Sequence, residues 1–205
     1  MTGPRKLSQN RAEETRDRIL EKARDAFAEH GFAGANVRDI AREAGTTHSM
    51  ITYHFGTKDQ LWRAAVRDMF QHIREEVFEP VEQEDHDSIA ERFASMTRRY
   101  AAYCARHPEH ARITIQETIR GGERLDWMVQ EFVKADHASA DWLQDLMDEG
   151  LVPRMPPESL LYIYVGMMQL PFVLAKEAQA LGYDFESEAG IERHAESVLK
   201  LMLRN

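Results

Sequence analysis

The chain has 205 residues, enough for one or two domains with a sizeable core, and its 43% hydrophobic and 30% charged content is typical of a soluble globular protein. The only cysteine, Cys104, excludes an intrachain disulfide and suits a reducing compartment. With no apolar run behind the polar N-terminus to form a signal peptide, we expect a cytoplasmic protein.

The net charge of −9 is unusual for a DNA-binding protein, but the charge is unevenly distributed. Residues 1–60 hold ten Lys/Arg and nine Asp/Glu, whereas residues 61–205 hold 16 and 26. Arg5, Lys6 and Arg11 precede the first acidic residue, and they either contact a DNA groove or its phosphates or form a solvated tail. This asymmetry permits phosphate binding near the N-terminus and favours one docking orientation.

Hydrophobic periodicity predicts an all-α protein with about nine helices and no sheet. The predicted helices cover residues 13–30, 37–44, 47–54, a fourth from residue 57, then 89–107, 108–120, 125–150, 158–181 and 187–203, with a loop at 81–88.

One uncharged stretch, residues 159–175, needs testing as a membrane span. It is shorter than the ~20 residues that a span requires, and it contains Gln169 and Pro171. We therefore predict no membrane partner and interpret the stretch as a helix buried in a core or a dimer interface.

Capping residues mark the starts of the second, third and fourth helices. Asn36 is a good N-cap for the second helix, Thr46 or Thr47 caps the third, and Thr57 with Gln60 forms a capping box for the fourth. Two short helices joined by a glycine-containing turn predict a helix-turn-helix, whose second helix enters a major groove about 12 Å wide.

Packing inside this motif follows from its small and apolar residues. Ala41 and Ala44, followed by Gly45, let the second helix lie close to the third. Of the third helix itself, we expect Met50, Ile51 and Phe55 to face inward.

Residues 13–69 resemble the tetracycline-repressor (TetR) family of transcriptional regulators, with the match running from Thr15 to Val66. Several motifs of the family occur in a fixed order over about a quarter of the chain, which makes the resemblance specific. They are Phe27 with Gly31-Phe32, then Val37 to Ala41 with Ala44-Gly45, then Tyr53-His54-Phe55, and finally Thr57-Lys58-Asp59 with Leu61.

The resemblance implies that Thr47, His48 and Ser49 face bases or phosphates and that Tyr53 and His54 grip the DNA backbone. Short hydroxyls and helix N-termini also suit phosphate oxygens. Thr52 stands where the family usually has an aromatic residue, so its contact is left open between a phosphate and a thymine methyl. The predicted DNA-binding residues are Asn36, Arg38, Thr46, Thr47, His48, Ser49, Thr52, Tyr53, His54 and Lys58.

Three of these residues are included because they lie at the start of a predicted helix: Lys58, Asn36 and Arg38. A cation at a helix N-terminus is disfavoured by the helix dipole, and a phosphate partner would explain Lys58 there. The alternative is an ordinary exposed lysine.

The resemblance implies a helix-turn-helix DNA-binding domain with a basic N-terminal arm at residues 1–60. Residues 61–205 resemble the family only in outline, which implies a helical ligand-sensing and dimerisation domain whose last two long helices pair with those of a second subunit. The sensor is rich in aromatic residues and methionine, which suits a permissive pocket for a small apolar or aromatic effector, although plain core packing is the alternative for each residue. Predicted pocket residues are Met96, Tyr100, Tyr103, Ile115, Trp127, Phe132, Trp142, Met147, Tyr162 and Met167. Predicted dimer contacts are Tyr164, Met168, Phe172 and Leu199.

We predict no cofactor, no metal site and no enzymatic activity. His107 and His110 have a spacing that could ligate a metal, but no cysteine or carboxylate pattern completes a site, and the sequence has no nucleophile elbow or phosphate loop. The sequence therefore predicts a homodimeric regulator, most simply a repressor released from a palindromic operator on double-stranded DNA by an inducer. The alternative is a ligand-binding or scaffold protein with a non-functional DNA head.

Overall fold

A computed structural model of the chain describes residues 4–134 and 141–204, and every regular element within them is helical, which confirms the all-α class. The α-helices are α1 Pro4–Gly34, α2 Val37–Glu43, α3 His48–Phe55, α4 Lys58–Ile73, α5 Glu79–Gln83, α6 Ile89–Arg106, α7 Pro108–Arg120, α8 Glu123–Met128, α9 Asp141–Asp148, α10 Pro157–Val173, α11 Ala175–Ala180 and α12 Glu188–Met202. Two π-helical turns, Arg74–Phe78 and Val129–Val133, continue α4 and α8.

The first helix is longer than the sequence pattern predicts. Helix α1 begins at Pro4, so the basic segment has a helical backbone rather than that of an extended arm. Gly31 has a φ of 66° and kinks the helix where its end is predicted, a conformation that glycine adopts without steric cost.

The predicted loop after Pro80 is partly helical, because α5 runs on to Gln83. Proline lacks an N–H and normally breaks a helix that needs one. The π turn lies directly before it, with the N–H of Glu79 donating to the carbonyl of Arg74 five residues back. This wider turn changes the hydrogen-bond register where an α-helix would need the missing proton of Pro80.

The predicted helix 158–181 is divided at Leu174 into α10 and α11. Pro171 cannot donate to the carbonyl of Met167 one turn earlier. That carbonyl instead accepts a hydrogen bond of 2.9 Å from Nε2 of His194 in α12. Within the described residues, no helix is long and apolar enough to cross a membrane.

Two hydrophobic clusters organise the molecule and meet along α4. The first is built from α1 to α4, with Ile113 and Met128 added from α7 and α8. The second begins at Ile73, at the end of α4, and extends through α6, α9, α10 and α12. We call α1–α3 the head and α5–α12 the body; α4 contributes to both cores and joins them.

Candidate DNA interface and ligand cavity

Helix α3 is held in place by the helix before it. The side chain of Asn36 accepts a hydrogen bond of 2.9 Å from the N–H of Arg38, which confirms the predicted cap of α2. Ala41 and Ala44 are both buried, and Gly45 turns the chain with a φ of 63°. Helix α2 can therefore pack closely against α3 and hold it at the surface.

One face of α3 points into solvent. Thr47 caps the helix, since its Oγ1 accepts from the N–H of Met50, and it also lies 2.8 Å from Oγ of Ser49. His48 and Ser49 are exposed, and Tyr53 is the most exposed aromatic residue of this face, with 80% of its surface accessible. These side chains form a continuous polar surface of the size that enters a DNA groove.

Thr52 also lies on this face, and Thr46 is half-buried at its edge. The Thr52 hydroxyl donates to the carbonyl of His48 within the helix, across 3.1 Å. The hydroxyl proton of Thr52 is therefore already in a hydrogen bond within the helix, which leaves the methyl group and the oxygen lone pairs for an outside partner.

The predicted packing of α3 is partly wrong. Ile51 and Phe55 are buried as expected, but Met50 is 37% exposed. Met50 lies one position before Ile51 on the helix, which turns it away from the direction in which Ile51 and Phe55 point. It therefore belongs to the edge of the exposed face.

His54 does not have the free ring that a backbone contact needs. It is half-buried, its ring centroid lies 5.2 Å from that of Tyr53, and its Nε2 is buried. That Nε2 has no hydrogen-bond partner among the described residues. The structure thus places the ring of His54 behind Tyr53 rather than beside it on the outer face.

Lys58 has partners inside the protein, whereas Arg38 is exposed at the start of α2. Nζ of Lys58 donates to the carbonyl of Ala33 across 3.4 Å and lies 5.0 Å from the ring centroid of Phe32. Burial and the nearby charge of Arg124 lower its pKa. These contacts provide a structural reason for a cation at this helix start.

A cavity of about 380 Å³ opens inside the body, between the end of α4, the following π turn, and helices α5, α6, α7, α9 and α10. Three predicted pocket residues line it: Met96, Tyr100 and Trp142. Tyr164, predicted as a dimer contact, also lines it. Sequence reasoning missed several other lining residues, among them Phe70, Phe78, Phe93, His110, Thr114 and Gln169.

The other predicted pocket residues do not line this cavity, and their role in ligand binding stays a prediction. Tyr103 and Met147 are buried in the core, Ile115 and Tyr162 are exposed, and Met167 is half-buried beside α12. Large apolar side chains also fill cores and lie on surfaces, so residue type alone does not separate cavity from core or surface.

Trp127 and Phe132, also predicted as pocket residues, pack where head and body meet. The Trp127 ring lies edge-on to Trp62 of α4 at 5.5 Å, beneath the guanidinium groups of Arg63 and Arg67. Phe132 stacks on Phe70 at 4.4 Å. Both rings therefore contact the helix that joins head to body rather than the cavity.

A buried hydrogen-bond chain leads from the cavity to α4. His110 lines the cavity, and its Nδ1 lies 2.8 Å from the hydroxyl of Tyr103, which donates to the carbonyl of Met69 across 3.1 Å. Burial lowers the pKa of His110 to about 4 and raises the pKa of Tyr103 well above its ordinary value, so both are neutral at physiological pH.

The neighbouring His107 has a different environment. Its Nε2 lies 3.0 Å from Glu76 and its Nδ1 lies 3.2 Å from Glu109. His107 and His110 thus have separate partners and do not point to a common metal position.

The four predicted dimer contacts, Tyr164, Met168, Phe172 and Leu199, are all buried within the single chain. The structure therefore does not place these four side chains on an exposed surface, and their contact with a second subunit stays a prediction. Helices α10 and α12 nevertheless carry large exposed apolar side chains: Tyr162, Ile163, Leu170 and Leu201, with Leu174 at the end of α10.

Comparison with known proteins finds its strongest sequence match in the N-terminal helices. Residues 19–65 match the model of the family described as bacterial regulatory proteins, tetR family. The HTH-type transcriptional repressor AcnR of Corynebacterium efficiens is 42% identical over 65 residues, which is 32% of this chain and 35% of that repressor. The match thus spans about a third of the length of this curated relative.

A longer match extends into the body. The HTH-type transcriptional repressor SCO4008 of Streptomyces coelicolor is 26% identical over 172 residues, covering 82% of this chain and 84% of that repressor.

Solved structures share the fold over most of the chain. AibR, solved in complex with isovaleryl coenzyme A and operator DNA, superposes with a TM-score of 0.72 over 92% of this chain and 97% of its own, at 17% identity. The fatty acid degradation regulator FadR from Bacillus halodurans superposes with a TM-score of 0.66 over 89% and 97%, also at 17% identity. The sequence match falls on the helices that build and brace α3, and in this segment the chain is similar to the tetR family of bacterial regulatory proteins.

Proposed function

We propose that the protein is a ligand-responsive transcriptional repressor that binds a palindromic operator as a homodimer and is released by a small apolar or aromatic effector. In this proposal residues 1–60 read DNA and residues 61–205 bind the effector and the second subunit. The main observation behind this proposal is that α4 and the π turn that continues it contribute to the core behind α3 and also line the cavity.

The exposed face of α3 supports the DNA contact. Its Thr47, His48, Ser49 and Tyr53 can reach phosphates and base edges, and the buried Ile51 and Phe55 fix the angle at which the helix is presented. Arg38, Asn36, Thr46 and Thr52 border the same surface. We assign Lys58 and His54 to bracing this surface, because both have contacts inside the protein.

Dimerisation through the last two long helices is supported by the exposed apolar side chains of α10 and α12. Ile163, Leu170 and Leu201 are each about half exposed or more in the single chain. A second copy of these helices would cover them, and a two-fold axis would then place two α3 helices on one duplex. Recognition helices of such dimers fit major grooves about 34 Å apart.

The effector site is supported by the volume and the lining of the cavity. A volume of about 380 Å³ lies within the range of small-molecule pockets, and most of the lining is apolar or aromatic. AibR, of the same fold, is solved in complex with isovaleryl coenzyme A and operator DNA, which supports a ligand site and a DNA site in one architecture.

The test is a fluorescence-anisotropy titration against duplexes selected from a random library. The native protein should prefer a palindromic duplex over random competitor, and its affinity should fall steeply with salt because phosphate contacts release counterions. Tyr53→Ala should weaken binding by about tenfold.

The matched control is Tyr183→Ala, because Tyr183 is also exposed, at 61%, but lies beyond α11. Equal losses from the two variants, or no preference for any duplex, would contradict the proposal. Leu170→Glu should shift the sedimentation of the protein from dimer to monomer, and an unchanged dimer would contradict the proposed interface.

A further inference from the structure

We infer that the effector is an uncharged hydroxyl- or N–H-bearing arene of the phenol type, which donates a hydrogen bond to Nε2 of His110 inside the cavity. This inference rests on the proposed function and names the chemistry of its ligand. It follows from the partners of His110, which fix the position of the imidazole proton.

The first step concerns the hydroxyl of Tyr103, which has one proton and two neighbours. The carbonyl of Met69, 3.1 Å away, can only accept, so the Tyr103 proton is donated to it. The oxygen of Tyr103 must then accept from Nδ1 of His110, 2.8 Å away. The proton of the imidazole is therefore on Nδ1, and Nε2 carries a lone pair.

The second step concerns the surroundings of this lone pair. Only 7% of the surface of His110 is accessible, the residue lines the cavity, and its Nε2 has no hydrogen-bond partner among the described residues. The ring of Phe70 lies edge-on to the imidazole at 4.9 Å. A polar atom of a residue that is largely buried but lines a cavity gains from a ligand that completes its hydrogen bond.

The third step concerns whether the ligand donates or accepts the hydrogen bond at Nε2. Burial lowers the pKa of His110 to about 4, so the ring stays neutral rather than becoming a double donor. A carboxylate or ether oxygen at Nε2 would place two lone pairs against each other, whereas an O–H or N–H would be satisfied. Ligands are rejected strongly when a buried polar group would be left unpaired.

Two neighbouring polar groups also offer acceptor oxygens to the ligand. The hydroxyl of Thr114 donates to the carbonyl of His110 across 2.6 Å, so its oxygen is left as an acceptor. The amide of Gln169 donates to the hydroxyl of Tyr100 across 2.7 Å, which leaves its carbonyl oxygen to accept. Both residues line the cavity.

The apolar part of the cavity selects an aromatic body. Phe93 stacks near Trp142 at 5.6 Å, and Trp142 lies edge-on to Tyr164 at 5.8 Å, so flat rings line one wall. Aromatic ligands gain from offset-stacked and edge-on contacts with such rings. The charged lining residues are two arginines, Arg74 and Arg92, and two glutamates, Glu79 and Glu82, which give no net preference for a charged body.

The test uses three probes of nearly equal size: 2-naphthol, which can donate; 2-methoxynaphthalene, which can only accept; and 2-naphthoate, which is anionic. Binding to the full-length protein without DNA is measured by calorimetry. We expect 2-naphthol to bind about tenfold more tightly than either other probe, which corresponds to a difference in binding free energy of ~1.4 kcal/mol. Equal binding of the three probes, tighter binding of the ether or carboxylate, or no binding by any of them would overturn the inference.

Two variants show whether His110 causes the preference. His110→Asn keeps an N–H near the position of Nδ1 but removes Nε2, and the tenfold ratio should fall below threefold. Tyr103→Phe removes the acceptor that holds the imidazole proton on Nδ1, so the preference for a donor should also weaken. Circular dichroism checks that both variants fold, and a ratio that survives in both folded variants would overturn the assignment to His110.

Failure of this inference is distinguishable from failure of the proposed function. If 2-naphthol binds with the His110-dependent preference but leaves the affinity for the selected duplex unchanged, the ligand class stands and the release mechanism fails. If another ligand releases the duplex while 2-naphthol does not bind, the repressor proposal stands and the ligand class is wrong.

Discussion

The guanidinium of Arg24, in the head, is ion-paired with the carboxylate of Asp68 in α4. Arg24 is buried, and its Nε also lies 3.8 Å from Glu109 of α7. The pair therefore connects three helices at the position where the head rests on the body. Nearby, the side chain of Gln116 in α7 donates to the carbonyl of Ala28 in α1 across 2.7 Å, which fixes the same contact.

Removing the carboxylate of this pair should be costly. In Asp68→Asn the buried charge of Arg24 keeps only the more distant Glu109, and breaking a buried ion pair in this way typically costs about 3 kcal/mol. We expect the free energy of unfolding, measured in urea, to fall by about that amount. Because the pair lies between head and body, operator affinity should fall as well.

The control for Asp68 is an exposed ion pair of the same helix bundle. Lys22 and Glu21 lie 2.6 Å apart at the surface, and Glu21→Gln should change the free energy of unfolding by less than about 0.5 kcal/mol. If the two substitutions had similar effects, the proposed coupling through Arg24 would be wrong.

The second prediction concerns the capping box at the start of α4. Oγ1 of Thr57 accepts from the N–H of Gln60 across 3.2 Å, and the side chain of Gln60 accepts from the N–H of Thr57 across 2.9 Å. Thr57→Ala should cost about 1 kcal/mol of unfolding free energy. Thr57→Ser keeps the hydroxyl and should cost clearly less; equal losses in thermal melts of the two variants would show that the cap does not stabilise α4.

A third prediction concerns the carbonyl that Pro171 leaves without its helical donor. His194 supplies the hydrogen bond to Met167, and its ring also lies edge-on to Phe172 and Phe185. His194→Phe keeps an aromatic ring but removes the donor, so we expect a loss of about 1–2 kcal/mol of unfolding free energy.

The background Pro171→Ala provides the control for His194. Alanine restores an N–H at residue 171 that can donate to the carbonyl of Met167, so His194→Phe should cost less than half as much in that background. Equal costs in the two backgrounds, measured by urea unfolding, would rule out this role for the imidazole.

Much of the head could be predicted from sequence because its signals are local. Asn36, Thr47 and Thr57 cap the helices that they are predicted to cap, since a cap depends only on the next few residues. Met50 and His54 could not be placed in this way. Their exposure depends on how α3 rests on its neighbours, which the short apolar pattern of eight residues does not define.

The body was harder to predict because α10 is apolar on all sides. Tyr164, Met168 and Phe172 recur every four residues on its buried face, while Leu170 and Ile163 lie on exposed positions. A helix with one apolar stripe would show which side is inward, but this one offers no such contrast.

The cavity could not be predicted from sequence because tertiary packing creates it. Phe70, His110 and Gln169 come from α4, α7 and α10 and meet only in the folded chain. Each of them taken alone resembles an ordinary core or surface residue of its helix.

The last prediction concerns pH and the ion pairs of His107. The hydrogen bond with Glu109 raises the pKa of His107 above its ordinary value, and the charges of Glu109 and Glu76 add to this effect against the opposing effect of burial. Burial pushes the pKa of Glu109 and of Glu76 upward, but hydrogen bonds from His107 and from Arg106, respectively, with the nearby positive charges, bring both below their ordinary values. Both carboxylates are therefore ionised between about pH 5 and 9, so only the imidazole changes charge in that window.

A raised histidine pKa gives stability that is complete below the pKa of the unfolded chain, about 6.5, and is lost as the pH rises through the folded value. The melting temperature of the native protein should therefore exceed that of His107→Gln by about 2–4 °C near pH 6, and this difference should shrink steadily toward pH 9. The comparison cancels the contribution of His110, whose lowered pKa acts at lower pH in both proteins. A difference that grows with pH would mean that His107 is neutral in the folded state and that Glu76 and Glu109 do not hold its proton.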